Sequence, residues 1–110
     1  MRPVLCLMLV AACSAKESAG SSVDGAELYA KFCSTCHGVT GKPDPTMIAR
    51  LGVRDLTSAE LRARVTPALV ENQVRKGSQN KLMPSFEGAF TDEQIKALAE
   101  YVASPKFLAR

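Results

Sequence analysis

The chain carries one histidine, no tryptophan and, with two tyrosines and four phenylalanines, few aromatic residues for its 110 positions. A single imidazole excludes chemistry that needs two histidines, whether as paired axial ligands or as an acid/base couple. The shortage of aromatics limits the apolar core, and a domain of this size is marginal unless a metal, a disulfide or a cofactor adds to it. Charge is also modest. A formal net charge of +3 falls short of the strongly basic face expected for nucleic-acid binding. No apolar run approaches the ~20 residues of a membrane-spanning helix, and there is neither an internal repeat nor a convincing strand. What is present, 46% apolar and 23% charged residues, is the composition of one globular domain.

The four cysteines divide into two sets. Cys6 and Cys13 lie in the apolar N-terminal stretch and Cys33 and Cys36 in the body, so they do not form one disulfide framework. The opening MRPVLCLMLVAAC has one positive charge at Arg2, an apolar run from Val4 to Ala12 and small residues before Cys13, the layout of an export signal. Val10-Ala11-Ala12-Cys13 resembles a bacterial lipobox, which predicts a signal over 1–12, cleavage before Cys13 and a lipid on that cysteine. Cleavage nearby with a free soluble product is the alternative. Residues 13–23, rich in Ser, Ala and Gly, form a flexible linker that would hold the domain roughly 16 to 19 Å from its anchor. The folded domain is predicted over 24–110.

Helical signals recur through that domain. Asp24 is an N-cap candidate for a helix whose Leu28, Tyr29, Phe32 and Cys33 fall at helical spacing. Residues 38–55 turn irregular around Gly41, Pro43, Pro45 and Gly52, with a short turn of helix at Met47, Ile48 and Leu51. Thr57-Ser58-Ala59-Glu60 has the pattern of a capping box and opens a short helix to about Val65. Thr66 caps the next segment, with Pro67 at its first position and Gly77 as its stop. Residues 78–90 have no period. Thr91-Asp92-Glu93-Gln94 is a second capping box, before an apolar face of Ile95, Leu98, Ala99 and Val102 that ends ahead of Pro105. The expectation is an all-α domain of four or five short helices. Its long loops are unusual for so small a domain, and a cofactor around which they wrap would explain them.

The one histidine directly follows a paired-cysteine motif, Cys33-Ser34-Thr35-Cys36-His37. C-x-x-C-H is the attachment signature for haem c: two thiols add across the porphyrin vinyl groups, and the adjacent imidazole ligates the iron. Cysteines at i and i+3 of a helical turn share a side, so the next residue can turn its ring beneath the porphyrin. A thioredoxin-like dithiol needs a βαβ setting that is missing here. A zinc site wants four ligands where three remain, and a structural disulfide leaves His37 unexplained. One covalently attached haem c is therefore the predicted cofactor.

With no second histidine, the other axial position goes to a different residue, stays open or is filled by a partner. Methionine is the usual alternative and raises the reduction potential. Outside the leader the candidates are Met47 and Met83. Met83 sits in a long polar loop, precedes a rigid proline and lies far enough beyond His37 for the chain to cross to the ring's other face. Met47 is close to His37 in sequence and is expected to pack on the histidine side.

These residues give the body a family likeness. From Gly25 to about Val102 it resembles a small class I cytochrome c, through Gly25-x-x-x-Tyr29-x-x-x-Cys33, CSTCHG, Lys81-Leu82-Met83-Pro84-Ser85-Phe86 and Ile95-x-x-Leu98-x-x-Tyr101-Val102. The KLMPSF loop and the Gln73-Val74-x-x-Gly77 turn look most similar to the small photosynthetic and related bacterial single-haem carriers. The resemblance implies the cytochrome c fold, with first and last helices crossing near Gly25 and Tyr29 and Tyr101 packed at the contact. It implies a proline carbonyl that holds the His37 ring through its Nδ1 proton, for which Pro45 is the candidate, and a place for Gln73 beside the haem.

The function implied is single-electron transfer rather than catalysis, because a six-coordinate iron has no vacant site for substrate. Cys33 and Cys36 would attach the haem, His37 and Met83 would be the axial iron ligands, and Tyr29, Leu51, Leu82, Phe86 and Leu98 would exclude water. The alternative is a haem-based gas sensor or small peroxidase-like protein with a displaceable Met83, for which the sequence offers no distal histidine or acid/base pair. The expected partners are a redox donor and acceptor, met by a monomer on the periplasmic side of a bacterial membrane. The protein would be lipid-anchored there, or soluble in the periplasm if Cys13 carries no lipid. Between Glu60 and Lys81, five basic residues (Arg62, Arg64, Arg75, Lys76 and Lys81) stand against Glu60 and Glu71. They form either a solvated helix face or a basic rim that steers an acidic partner.

Overall fold

In the computed structural model the described residues are 23–109. The expected leader, Cys13 and the linker up to residue 22 lie outside them. The helices are α1 (Gly25–Phe32), α2 (Ser34–His37), α3 (Pro45–Leu51), α4 (Ala59–Arg64), α5 (Pro67–Lys76) and α6 (Asp92–Ala103), followed by a 3-10 turn, Pro105–Leu108. Five of these are the expected helices; α2, over the C-x-x-C-H motif, and the terminal turn are additional. None of the helices among the described residues is long and apolar enough to cross a membrane.

Side-chain caps start most of these helices by accepting backbone N–H groups that have no partner within the helix. Asp24 accepts from Ala26 and Glu27, and Thr66 accepts from Leu69. Thr91 and Gln94 form the reciprocal box at α6. At α4 the cap lies one residue later than expected. Ser58 accepts from the Leu61 N–H, while Thr57 donates its N–H and its hydroxyl to Asp55 Oδ1 at 2.8 and 2.6 Å. Asp55 accepting from the second residue on is an Asx turn. The Thr57 hydroxyl holds the Asp55 carboxyl below the ordinary carboxylate range.

The core sits where α1 crosses α6. A Cβ on Gly25 would overlap the Ala97 carbonyl oxygen and stand 2.8 Å from Tyr101 Cβ, so only glycine lets the two backbones approach this closely. Tyr29 on α1 packs against Ile95, Leu98 and Val102 of α6, with Val74 from α5 and Phe107 from the terminal turn. Burying each of the large apolar side chains is worth about 1.5–3 kcal/mol. Tyr29 and Tyr101 have ring centroids 6.2 Å apart, which places both at the crossing.

Two of the five basic residues are turned into the fold. Arg62 donates from Nη1 to the Val102 carbonyl at 2.8 Å and from Nη2 to the Ser104 carbonyl at 3.1 Å, and its guanidinium lies 5.5 Å from the Phe107 ring centroid. It thereby ties α4 to the end of α6, where the Ser104 carbonyl also accepts the Phe107 N–H of the terminal turn. Arg75 pairs with Glu71, Glu87 and Asp92 at 2.9, 3.1 and 2.9 Å, joining α5 to the loop before α6. The basic rim therefore reduces to Arg64, Lys76 and Lys81. Arg62→Ala is expected to lower stability by about 2 kcal/mol, the scale of charge-assisted hydrogen bonds lost from half-buried carbonyls. Denaturant unfolding of the haem-loaded protein measures it, and a change below ~0.5 kcal/mol would show the contacts to be incidental.

Candidate functional site

Between α1, α5 and α6 and the loops around α3 and residues 78–86 lies a cavity of about 500 Å³. Cofactor sites span about 300–1,000 Å³. The C-x-x-C-H motif reaches it because α1 ends at Cys33 and the chain turns at once into α2, whose last residue is His37. Cys33, Cys36, His37 and Met83 all line this cavity. So do Tyr29, Leu51, Gln73, Leu82, Phe86 and Leu98. Met47, half-buried on α3, does not.

Pro45 is the exception among the expected residues, and its assignment is corrected. It is exposed at the first position of α3, where the Asp44 cap commits the segment to a helix start, and it is absent from the cavity wall. The His37 Nδ1 lies 3.0 Å from the carbonyl oxygen of Arg54 instead. The loop after α3 is drawn back by a Leu56 N–H to Gly41 carbonyl bond of 2.8 Å, which carries Arg54 to the imidazole. Every residue has a backbone carbonyl, so no side-chain pattern marks this partner in advance.

The donor set has a definite chemistry. A carbonyl can only accept, so Nδ1 carries the proton and Nε2 of the neutral ring keeps its lone pair for a metal. Burial pushes the His37 pKa below its ordinary value, opposed by the Arg54 bond, and this favours the neutral ring. Burial, with the neighbouring Cys36, pushes the Cys33 thiol up to about 11. Cys33 and Cys36 are free thiols, and a raised pKa is the reverse of what a redox-active dithiol requires. Nor, among the described residues, is any group of three or more His, Cys, Asp or Glu side chains arranged to hold a metal ion.

The rest of the wall fits a porphyrin. It is mostly apolar, and its charged members are Arg54 and Arg64, both cationic, with no acidic residue among the described lining side chains. An apolar ring bearing carboxylates matches that distribution. The Tyr29 ring is fully buried, and its hydroxyl donates to the Gly38 carbonyl at 2.7 Å, tying α1 to the residue after His37. Gln73 donates to the Gly77 carbonyl at 2.8 Å and so braces the end of α5. Arg54, Arg64, Ser78 and Asn80 are lining residues that the sequence did not single out as such. Arg64 was marked in advance only as part of the basic run, and the other three only by proximity to the recognised motifs.

The chain is similar to known proteins in sequence and in fold. The family model described as cytochrome C oxidase, cbb3-type, subunit III matches residues 21–102. Cytochrome c6 of Euglena gracilis is 35% identical over 80 residues, which is 71% of this chain and 85% of that protein. Cytochrome c-553 of Desulfomicrobium norvegicum is 33% identical over 82 residues, 73% of this chain and 94% of that protein. Among solved structures, the KustC0563 c-type cytochrome superposes with a TM-score of 0.65 at 34% identity, covering 74% of this chain and 95% of that one. With a helical fold, a C-x-x-C-H motif opening on an apolar cavity and relatives matched over most of their own length, the chain belongs to the cytochrome c family, as a small class I cytochrome c.

Proposed function

We propose that this protein is a single-electron carrier in which Cys33 and Cys36 hold one haem c covalently and His37 and Met83 are its axial ligands. The observation that carries this reading is the meeting, in one largely apolar cavity, of two thiols, an imidazole with its Nδ1 proton committed and a thioether. Bound haem c supplies a one-electron iron couple whose potential follows its axial ligands and its burial. The chain's own work is to keep that couple dry and its ligands still. The Arg54 carbonyl orients the His37 ring, Tyr29 and Leu98 close the cavity from the helix crossing, and Leu51, Leu82 and Phe86 shield it from the loops. Arg54 and Arg64 offer cations to the porphyrin carboxylates.

Absorption spectra of the purified domain, from a host that attaches haem c, test the reading. Sharp low-spin reduced bands, a weak near-infrared methionine band in the ferric form and no shift with carbon monoxide are expected. A high-spin spectrum that shifts with carbon monoxide would instead support gas or peroxide chemistry. Export to the periplasmic side of a bacterial membrane, with a lipid on Cys13, belongs to the same proposal. Mass measurement of the mature protein tests the lipid.

Docking follows the three remaining cations. Arg64, Lys76 and Lys81 are exposed and make no ion pair among the described residues. Arg64 lines the cavity, and Lys81 stands between the lining residues Asn80 and Leu82. Electron-transfer rates with an acidic redox protein are expected to fall as salt is added, because screening shortens the reach of these charges. Rates independent of salt would remove the steering role.

A further inference from the structure

The loop that bears Met83 is held by a hydrogen-bonded set that neither the family resemblance nor the cavity wall accounts for. The Ser78 N–H donates to the Met83 carbonyl at 3.0 Å, and the Met83 N–H donates to Ser78 Oγ, also at 3.0 Å. One residue thus engages both backbone polar groups of Met83. A serine hydroxyl has one proton and two lone pairs, and here both functions are used, since Ser78 Oγ also donates to Asn80 Oδ1 at 2.6 Å. The same Asn80 oxygen accepts the Leu82 N–H at 3.1 Å. The chain of bonds runs from Met83 through Ser78 to Asn80 and returns at Leu82.

The turn inside this set is not relaxed. The Lys81 N–H closes on the Ser78 carbonyl at 3.0 Å, and Lys81 has φ 62, a left-handed conformation that is unfavourable for a residue with a Cβ. On the other side of Met83 the chain is fixed by the Phe86 N–H to Val74 carbonyl bond of 3.0 Å and by the Ser85 hydroxyl donating to the Arg75 carbonyl. Gly77 allows the return to pass close: a Cβ there would stand 2.5 Å from the Met83 carbonyl oxygen. The backbone is thus held on both sides of Met83, whose side chain packs against the edge of the core.

We propose that Ser78 and Asn80 are positioning residues for Met83, a clasp that holds its thioether toward the cavity and slows its departure from the iron. The proposal rests on Met83 being the axial ligand. Ser78 is half-buried and Asn80 exposed; both also line the cavity, so Ser78→Thr, which keeps the hydroxyl, separates the clasp from a change in the wall. Loss of a bond of ordinary net strength shifts the balance between seated and released methionine by roughly tenfold.

The test uses the haem-loaded ferric protein as wild type, Ser78→Ala, Ser78→Thr and Asn80→Ala. It reads the near-infrared methionine band, the limiting rate of imidazole binding and the thermal midpoint. The limiting rate reports how often the methionine leaves, which a purely structural role would not move apart from stability. The expected result is a limiting rate about tenfold higher in Ser78→Ala, raised in the same sense in Asn80→Ala and near wild type in Ser78→Thr, which keeps the hydroxyl. If the wild type shows the band and both alanine variants keep its rate within about twofold, the clasp is overturned and Met83 stands. A wild type without the band overturns the Met83 ligation and the clasp with it.

Discussion

Met83→Ala is expected to retain its attached haem, lose the near-infrared methionine band, bind carbon monoxide in the ferrous form and show a lower reduction potential. On the proposed reading attachment uses Cys33 and Cys36, reached through α1 and α2, which lie outside the residue 78–86 loop. Of the two methionines among the described residues, Met83 lines the cavity and Met47 does not. If Met83 is the ligand, removing its soft thioether withdraws the group that favours ferrous iron, so the potential moves down within the ~0.8 V over which axial ligands set haem potentials. Redox titration and carbon monoxide difference spectra read both effects. An unchanged potential with no carbon monoxide binding would mean that another group, Met47 first, occupies the position.

The largest stability effect is expected at Phe107. Its side chain is 0% exposed on the short turn after α6. It meets Tyr29 edge-on with centroids 5.1 Å apart and Tyr101 edge-on at 5.5 Å. A Cβ on Gly41 would come within 2.5 Å of its ring, so the loop after the C-x-x-C-H motif closes directly over it. Phe107→Ala would leave a cavity at the meeting of α1, α6 and that loop, with a cost of about 3–5 kcal/mol. Against a total of about 5–15 kcal/mol for a domain, that is a large share. Denaturant unfolding of the haem-loaded protein measures the loss, and Phe107→Leu, which refills part of the space, should recover some of it. A loss under ~1 kcal/mol would mean the site collapses readily and the ring is not a keystone.

Much of the cavity wall was legible because its signals are local. Haem attachment needs two thiols and an imidazole within five consecutive residues, so the spacing appears directly in Cys33 to His37. The Met83-Pro84 step stood out in a segment with no period, and Ile95, Leu98, Ala99 and Val102 marked the buried face of α6 by their spacing alone. The family match over residues 21–102 bears out the recognition that these pieces supported. Where a competing local interaction existed, the reading slipped by one residue: Thr57 looked like the cap of α4, but Asp55 engages it and Ser58 takes its place.

The sequence by itself determined five of the helical segments and which side chains were the candidates for the chemistry, because capping, periodicity and ligand spacing act over a few residues and are written in side-chain identity. Only the tertiary structure decided that the Arg54 carbonyl, rather than that of Pro45, meets His37. It alone turned Arg62 onto the end of α6, drew Arg75 into three carboxylates and sealed the core with Phe107. The physical reason is common to all four. A backbone carbonyl is the same on every residue, a guanidinium does not specify which acceptor it will find, and a phenylalanine past the last helix has no period to join. Each takes its partner from the path of the chain, which the packing of α1 on α6 sets.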